Sequence, residues 1–205
     1  MSWVVFNIYM NKVWVFGDSF SQDYENNPVD NFKEYIKLKG YNPKTFGKLI
    51  SEHYNMDYKN YACGGFDNYS ILESFCDVVD KIEDGDIIFL GWSLYHRFRI
   101  MCYEGWKSIN GTDFCDKMST NTINEIVVNR THPFYEREVE SWNKLIRHSI
   151  KSLPNTKLII WEWHKPNLNN KFETISQETN NVIPDFHWSE NGQKEFLNYI
   201  LTSLK

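Results

Sequence analysis

The sequence lacks the cysteine pattern of a metal site. Its four cysteines, Cys63, Cys76, Cys102 and Cys115, include no Cys-x-x-Cys pair, and no histidine stands at zinc-finger spacing from them. We therefore expect no metal ion and no cofactor. In an intracellular chain the default state of such cysteines is the reduced, unpaired thiol.

Long apolar runs are also absent. The segment from Met1 to Phe16 is apolar in places, but Asn7, Asn11 and Lys12 interrupt it, and no small-residue cleavage site follows. We therefore expect neither a signal peptide nor a membrane span, no membrane partner and a cytoplasmic location. Because a strand is predicted to begin near Val13, residues 1–9 are a candidate N-terminal extension.

A surplus of positive charge is likewise absent. The 205 residues carry a formal net charge of −5 at pH 7, so no basic field attracts a nucleic-acid backbone. We expect no nucleic-acid partner and a small-molecule or glycan substrate instead. The aromatic share of 17% is high, which predicts that some rings line a groove. The oligomeric state is left open.

Three continuous apolar runs predict buried parallel strands at Val13–Phe16, Ile87–Leu90 and Leu158–Trp161. A weaker strand is predicted around Tyr58–Ala62. Helical patterns separate these runs, and such alternation is typical of an α/β sheet covered by helices on both faces. The length favours a single domain spanning residues 1–205.

Helix signals fall between and after the strands. Pro43 suits the first turn of one helix, and Asp67 or Asn68 is a candidate cap for the next. A long helix is predicted from about Phe134 to Leu153, and Ser189 is expected to cap the last helix.

Two stretches, 22–42 and 101–133, fit no regular period. Loops this long in a compact domain are usually functional or mobile, and in a parallel sheet they overhang the binding edge. We assign both stretches to substrate recognition, with 101–133 as an irregular insertion.

Small, polar or titratable residues are predicted to meet at one edge of the sheet, because the carboxyl ends of parallel strands lie together. Some follow the strands and two precede the last helix. They are Ser19, Gly65, Asn68, Ser93, Asp185 and His187.

A serine, an acid and a histidine at this edge indicate nucleophilic catalysis. A serine hydroxyl is a weak nucleophile until a base takes its proton, and the base needs a third group to hold its tautomer. Ser19, His187 and Asp185 are the residue types for these three roles. The Gly-x-Ser-x-Gly pentapeptide of the α/β-hydrolases does not surround Ser19.

Three blocks of the sequence resemble the SGNH (GDSL-like) hydrolase family, and the likeness spans Val13 to about Leu201. Gly17-Asp18-Ser19-Phe20-Ser21 is similar to the first block, Asn60-Tyr61-Ala62-Cys63-Gly64-Gly65 to the second, and His187-Trp188-Ser189-Glu190-Asn191-Gly192 to the last. The resemblance implies a three-layer α/β/α sandwich built on a flavodoxin-like parallel sheet of about five strands.

The resemblance also implies roles for the residues. Ser19 would be the nucleophile, His187 the base and Asp185 the third member of a triad. The backbone N–H groups of Ser19 and Gly65 would stabilise the oxyanion of the tetrahedral intermediate. The implied activity is that of a serine esterase or O-deacetylase, which hydrolyses acyl esters through an acyl-enzyme, with acetylated carbohydrate as a candidate substrate.

Two departures from the family leave alternatives open. Where the family has Gly-x-Asn, with the asparagine as an oxyanion donor, this chain reads Gly91-Trp92-Ser93, so either Ser93 or Asn68 takes that role. Asp185 precedes His187 by two residues, where the family usually has three. A triad is predicted, and a dyad in which a backbone carbonyl orients the histidine is the alternative.

Three further residues, Trp92, Arg97 and Trp188, are expected to contact substrate, with Arg97 suited to a carboxylate or phosphate group. The missing asparagine favours a rival class of function. This is a catalytically weak or inactive module on the same scaffold, for example a glycan-binding or virion-associated component. A flavodoxin-like nucleotide binder is disfavoured, because no glycine-rich phosphate loop opens a helix after the first strand.

Overall fold

The computed structural model describes residues 11–94, 97–102, 105–109, 132–162 and 171–203. The strands are β1 (Lys12–Phe16), β2 (Asp57–Asn60), β3 (Ile87–Trp92), β4 (Phe98–Cys102), β5 (Gly105–Ile109) and β6 (Lys157–Glu162). The helices are α1 (Asp30–Lys39), α2 (Phe46–Tyr54), α3 (Asn68–Cys76), α4 (His132–Ser149), α5 (Ile175–Glu178) and α6 (Glu190–Ser203). Short 3₁₀ turns lie at Tyr24–Asn26 and Val79–Lys81.

Four parallel strands form the main sheet in the order β2-β1-β3-β6. Strand β1 lies inside the sheet, and its Val13 is paired with Tyr58 of β2 and Ile87 of β3. Both neighbours therefore fix its register. As all four strands run the same way, the segments that follow Phe16, Asn60 and Trp92 lie at one edge of the sheet.

Helices cover both faces of this sheet. Alternate residues of β1 point to opposite faces, so Val13 and Val15 pack with α2 and α6, while Trp14 and Phe16 pack with α3 and α4. Each face has its own buried apolar cluster, and the result is three layers in the order helix, sheet, helix.

The predicted α/β class and the parallel sheet are confirmed, and the predicted number of strands is wrong. Within the described residues the sheet has four strands instead of about five. The three apolar runs form β1, β3 and β6, and the weaker run forms β2 at Asp57–Asn60. β2 is an edge strand with alternating exposure, which explains its weak apolar signal.

The stretch 22–42 is more regular than predicted. It contains a 3₁₀ turn and the ten-residue helix α1. Of that helix only Phe32 and Tyr35 are fully buried, and they join a small third cluster with Tyr24, Ile175 and Ile183. A helix that buries so few side chains leaves a weak apolar period in the sequence.

The predicted irregular insertion 101–133 is also partly regular. Its first residues belong to the antiparallel hairpin of β4 and β5, and helix α4 begins at His132. Residues 110–131 and the candidate extension 1–9 lie outside the described residues.

Two predicted helix caps are confirmed and one predicted helix start is wrong. The Asp67 side chain accepts the Ser70 N–H at the start of α3, and the Ser189 hydroxyl accepts the Gly192 N–H at the start of α6. Helix α2 begins at Phe46, so Pro43 precedes its first turn. None of the helices in the described part of the chain has the length and apolar composition needed to cross a bilayer.

Gly192 allows the close approach of α6 to the segment before α5. A Cβ atom at this position would overlap the carbonyl oxygen of Glu173 and lie 3.0 Å from its carbonyl carbon. The same oxygen accepts the Ser189 N–H at 2.9 Å, so the Glu173 backbone cannot move aside without losing that hydrogen bond.

We expect Gly192→Ala to destabilise the protein by about 1–3 kcal/mol, the usual range for overpacking. In an exposed helix interior the same substitution stabilises by about 1 kcal/mol, so the clash reverses the sign. Urea unfolding measures the change. The adjacent exposed Asn191→Ala is the control, and it should shift stability by at most about 0.5 kcal/mol. A G192A protein as stable as the parent would contradict this account of the helix start.

Candidate active site

Ser19 lies in a tight turn directly after β1. The Asp18 carbonyl accepts the N–H groups of Ser21 and Gln22 at 3.0 and 3.1 Å, and one Asp18 carboxylate oxygen accepts the Phe20 N–H at 3.1 Å. The contact between the Asp18 carboxylate and the Phe20 N–H is an Asx turn, in which an aspartate side chain accepts the backbone N–H two residues further along the chain. Asp18 is almost completely buried, so it fixes the backbone on both sides of Ser19.

His187 joins this turn to the other end of the chain. Its Nε2 lies 2.8 Å from the Ser19 Oγ, and its Nδ1 lies 2.6 Å from Asp185 Oδ1. The rings of Phe20 and Phe32 lie against the imidazole, with centroid separations of 4.7 and 4.9 Å. The structure thus brings the three predicted residues into one chain of hydrogen bonds.

The two-residue spacing between Asp185 and His187 is accommodated by a second Asx turn. Asp185 Oδ1 accepts the backbone N–H of His187 at 2.8 Å in addition to contacting its ring. The intervening Phe186 points outward and is 83% exposed. A carboxylate that binds both the backbone and the ring of the same histidine restricts the orientation of the imidazole.

Asp185 is stabilised in its ionised form. Burial raises the pKa of Asp185, but the hydrogen bond and charge of His187 lower it, and the His187 N–H and Asn31 amide add to that effect, so the pKa is lowered overall. The Asn31 amide donates to Asp185 Oδ2 at 3.2 Å. Asn31 is not among the site residues that the sequence predicts, because it lies in the first turn of α1, a helix within the stretch predicted to be irregular.

The backbone of the His187 segment is anchored by α5. The carbonyl oxygens of Asp185 and His187 accept the N–H groups of Ser176 and Ile175 at 2.9 and 2.8 Å. The Tyr24 hydroxyl donates to the Trp188 carbonyl at 2.8 Å. Since N–H groups at a helix start have no partner within the helix, α5 supplies donors at the required place.

Gly65 lies in the loop after β2 with φ of +84°, a conformation that side chains rarely adopt. The neighbouring Gly64 N–H donates to Gln22 Oε1 at 2.7 Å, which ties this loop to the Ser19 turn. Within the described residues, neither the Ser19 N–H nor the Gly65 N–H has a protein acceptor. Both N–H groups are therefore available to an acceptor outside the described residues.

Asn68 and Ser93 contact each other at the same edge of the sheet. Asn68 Oδ1 accepts the Ser93 N–H at 2.6 Å, and its Nδ2 donates to the Ser93 carbonyl at 3.2 Å. The Ser93 hydroxyl donates to Asp18 Oδ2 at 2.8 Å and is fully buried. Because a hydroxyl has a single proton, this contact argues against Ser93 as an oxyanion donor.

The substrate contacts predicted for Trp92 and Trp188 are corrected by their burial. Both side chains are completely buried. Trp92 donates to Asn143 Oδ1 and packs beneath α4, while Trp188 packs between Trp161 and Phe196. An indole side chain has a large apolar area, so it is more stable in the core than at an edge of the sheet that is open to water.

The structure places Arg97, which is also predicted to contact substrate, against an internal carboxylate. Its Nη1 lies 2.9 Å from Asp18 Oδ2, and its side chain is 13% exposed. The guanidinium thus forms an ion pair with the buried carboxylate of Asp18. Within the described ranges, no three His, Cys, Asp or Glu side chains come together as a metal-ligand set, and Cys63 and Cys76 are free thiols.

Comparisons with known proteins find likeness at the level of structure. No protein-family model matches the chain, and no curated protein matches it. One solved structure, described as "The active site of a carbohydrate esterase displays divergent catalytic and non-catalytic binding functions", covers 95% of this chain and 68% of its own. The identity is 15% and the TM-score 0.49, values too low to carry an argument about this protein.

Asp23 is a buried acid next to the Ser19 turn, and its raised pKa makes the stability of the protein depend on pH. Asp23 Oδ1 accepts the hydroxyls of Thr45 and Tyr58 at 2.5 and 2.9 Å. The amide of Asn60 donates both to the Tyr58 oxygen and to the Ser21 carbonyl, each at 2.9 Å. Burial, with a smaller contribution from the charge of Glu25, raises the pKa of Asp23 overall, although Thr45, Lys48 and Tyr58 lower it.

The raised pKa predicts that Asp23 reduces stability as pH rises. Folding favours the protonated acid, so its contribution is largest below the ordinary value of 3.8 and is lost as pH rises through the higher folded pKa. We expect Asp23→Asn to gain stability relative to the parent between about pH 4 and about pH 7. Denaturant unfolding at both values measures it. The exposed Asp57→Asn should show no such change, and an equal difference at both pH values for D23N would refute the explanation.

Proposed function

We propose that this protein is a serine esterase or O-deacetylase of the SGNH type that hydrolyses acyl esters. The observation that carries the proposal is the continuous chain of contacts from Ser19 Oγ to His187 Nε2 and from His187 Nδ1 to Asp185, at 2.8 and 2.6 Å. Ser19 lies 168 residues from His187 in the sequence, while Asp185 and His187 share one loop. The order of the three side chains matches the roles of nucleophile, base and orienting acid.

The proposed reaction begins when His187 Nε2 accepts the Ser19 proton and Ser19 Oγ attacks the ester carbonyl. The tetrahedral oxyanion is stabilised by the N–H groups of Ser19 and Gly65. The intermediate then collapses, the alcohol leaves with the proton from His187, and the acyl group stays on Ser19. Water attacks this ester with His187 again as base, which releases the carboxylic acid and restores Ser19.

Asp185 is proposed to complete a triad, in preference to a dyad. It remains ionised because of its lowered pKa, and a negative carboxylate beside Nδ1 stabilises the imidazolium formed during attack. Its contact with the His187 N–H also fixes the ring relative to the backbone.

Asn68 is proposed as the third oxyanion donor. Its Nδ2 gives one hydrogen to the Ser93 carbonyl, and the described residues provide no acceptor for the other. The proposal names acyl esters as the substrate class. Carbohydrate as the alcohol half rests on the family resemblance, because Trp92 and Trp188 are buried and do not supply a sugar platform.

The nucleophile is tested with a fluorophosphonate probe and with hydrolysis of p-nitrophenyl acetate. We expect the parent to be labelled and Ser19→Ala to lose both labelling and turnover. The matched control is Ser21→Ala, in the same turn, because the Ser21 Oγ is buried without a hydrogen-bond partner among the described residues. Loss of labelling in S21A but not in S19A would show that the nucleophile is misassigned. An unlabelled, inactive parent would instead support the rival binding module.

The same assay distinguishes a triad from a dyad. His187→Ala should lower kcat by at least about 10²-fold, as expected for loss of a general base. Asp185→Asn should lower kcat to a similar extent, because the amide opposes the required tautomer. A D185N enzyme with more than about a tenth of the parent kcat would exclude Asp185 from the triad.

The third oxyanion donor is tested by Asn68→Ala and Asn68→Asp, since the second variant keeps the acceptor for the Ser93 N–H. We expect both to lower kcat by about 10²–10³-fold with little change in KM, the range for loss of one oxyanion donor. Ser93→Ala is the comparison, and it should lower kcat by less than about tenfold. The opposite order of effects would make Ser93 the donor. Melting temperatures of all three variants separate these effects from unfolding.

A further inference from the structure

Arg97 contacts the turn that carries Ser19, although it lies on a different segment. It follows β3 by five residues and immediately precedes β4. Its Nη1 donates to Asp18 Oδ2 and to the Ser93 Oγ, each at 2.9 Å. Its N–H donates to the Leu94 carbonyl at 3.1 Å.

The two oxygens of Asp18 have separate partners. Oδ1 accepts the Phe20 N–H and closes the turn around Ser19, while Oδ2 accepts the Ser93 hydroxyl and Arg97. Any rotation of the Asp18 carboxylate therefore alters both sets of contacts. Arg97 acts on the rotamer of Asp18, and Asp18 acts on the backbone of Ser19.

A buried carboxylate also affects the charge that develops during attack. Asp18 is 1% exposed and adjacent to Ser19. Without a cation, its negative charge would oppose an oxyanion held by the Ser19 N–H, because charges interact strongly where water is excluded. A guanidinium remains protonated throughout and contacts two acceptors with one planar group, so it neutralises Asp18 without taking part in proton transfer.

We propose that Arg97 is a positioning residue for catalysis. It holds Asp18 in the orientation that shapes the Ser19 turn, and it neutralises the Asp18 charge beside the oxyanion. This inference rests on the proposed function. It also connects the start of β4 to the nucleophile, since Arg97 immediately precedes that strand and contacts the turn.

The test compares Arg97→Met, Arg97→Lys and the double variant Asp18→Asn with Arg97→Met. Turnover of p-nitrophenyl acetate gives kcat and KM, and fluorophosphonate labelling gives the reactivity of Ser19. Arg147→Met, at an exposed position of α4, is the matched control and should behave as the parent. Melting temperatures are recorded for every variant.

We expect R97M to lower kcat on the order of 10²-fold with KM changed less than about threefold, as for a misplaced nucleophile. R97K should recover part of this loss, because it restores the charge but not the planar fork. The double variant should exceed R97M in kcat, because the asparagine keeps an acceptor for the Phe20 N–H and removes the buried charge.

The outcomes distinguish failure of this inference from failure of the proposed function. An active, labelled parent with R97M within about threefold of its kcat would overturn the role of Arg97 alone. An inactive, unlabelled parent would overturn the proposed function and this inference with it. If R97M does not fold, R97K decides, because an unchanged kcat at an unchanged melting temperature would refute positioning by Arg97, and a kcat lowered about tenfold would support it.

Discussion

A carboxylate that accepts the backbone N–H two residues further along the chain occurs on both sides of the candidate active site. Asp18 forms this contact with Phe20, and Asp185 forms it with His187. The first fixes the turn that presents Ser19, and the second fixes the histidine that faces it. Neither the Ser19 hydroxyl nor the imidazole would keep its orientation if these two short turns opened, because each lies in a segment with no regular secondary structure of its own.

The segment around His187 is held in place by side chains of α1 and of the 3₁₀ turn before it. Tyr24 donates to the Trp188 carbonyl, Asn31 donates to Asp185, and the Tyr35 hydroxyl accepts the Glu190 N–H at 2.9 Å. Tyr35 also donates to Glu178 of α5. Helix α1 and the 3₁₀ turn before it thus support Asp185 and His187. Polar contacts therefore organise a region that has few buried apolar residues.

The sequence predicts the parts of this molecule that depend on continuous apolar burial. The runs that become β1, β3 and β6 are visible because both faces of those strands are covered, and the parallel arrangement then predicts the meeting of Ser19 with His187. The predictions that failed depend on tertiary contacts instead. Helix α1 is stabilised by a few aromatic and polar partners. The burial of Trp92 and Trp188 depends on the helices that pack over them.

The two aspartates of the site contact different kinds of side chain, and this difference separates their proposed roles. A guanidinium keeps its proton under ordinary conditions, so Arg97 neutralises the negative charge of the Asp18 carboxylate. The oxygens of this carboxylate accept hydrogen bonds from Phe20, Ser93 and Arg97. The carboxylate therefore does not act as a base for the adjacent Ser19. Asp185 instead contacts the imidazole of His187, so in the proposed reaction the Ser19 proton moves to His187 and not to Asp18.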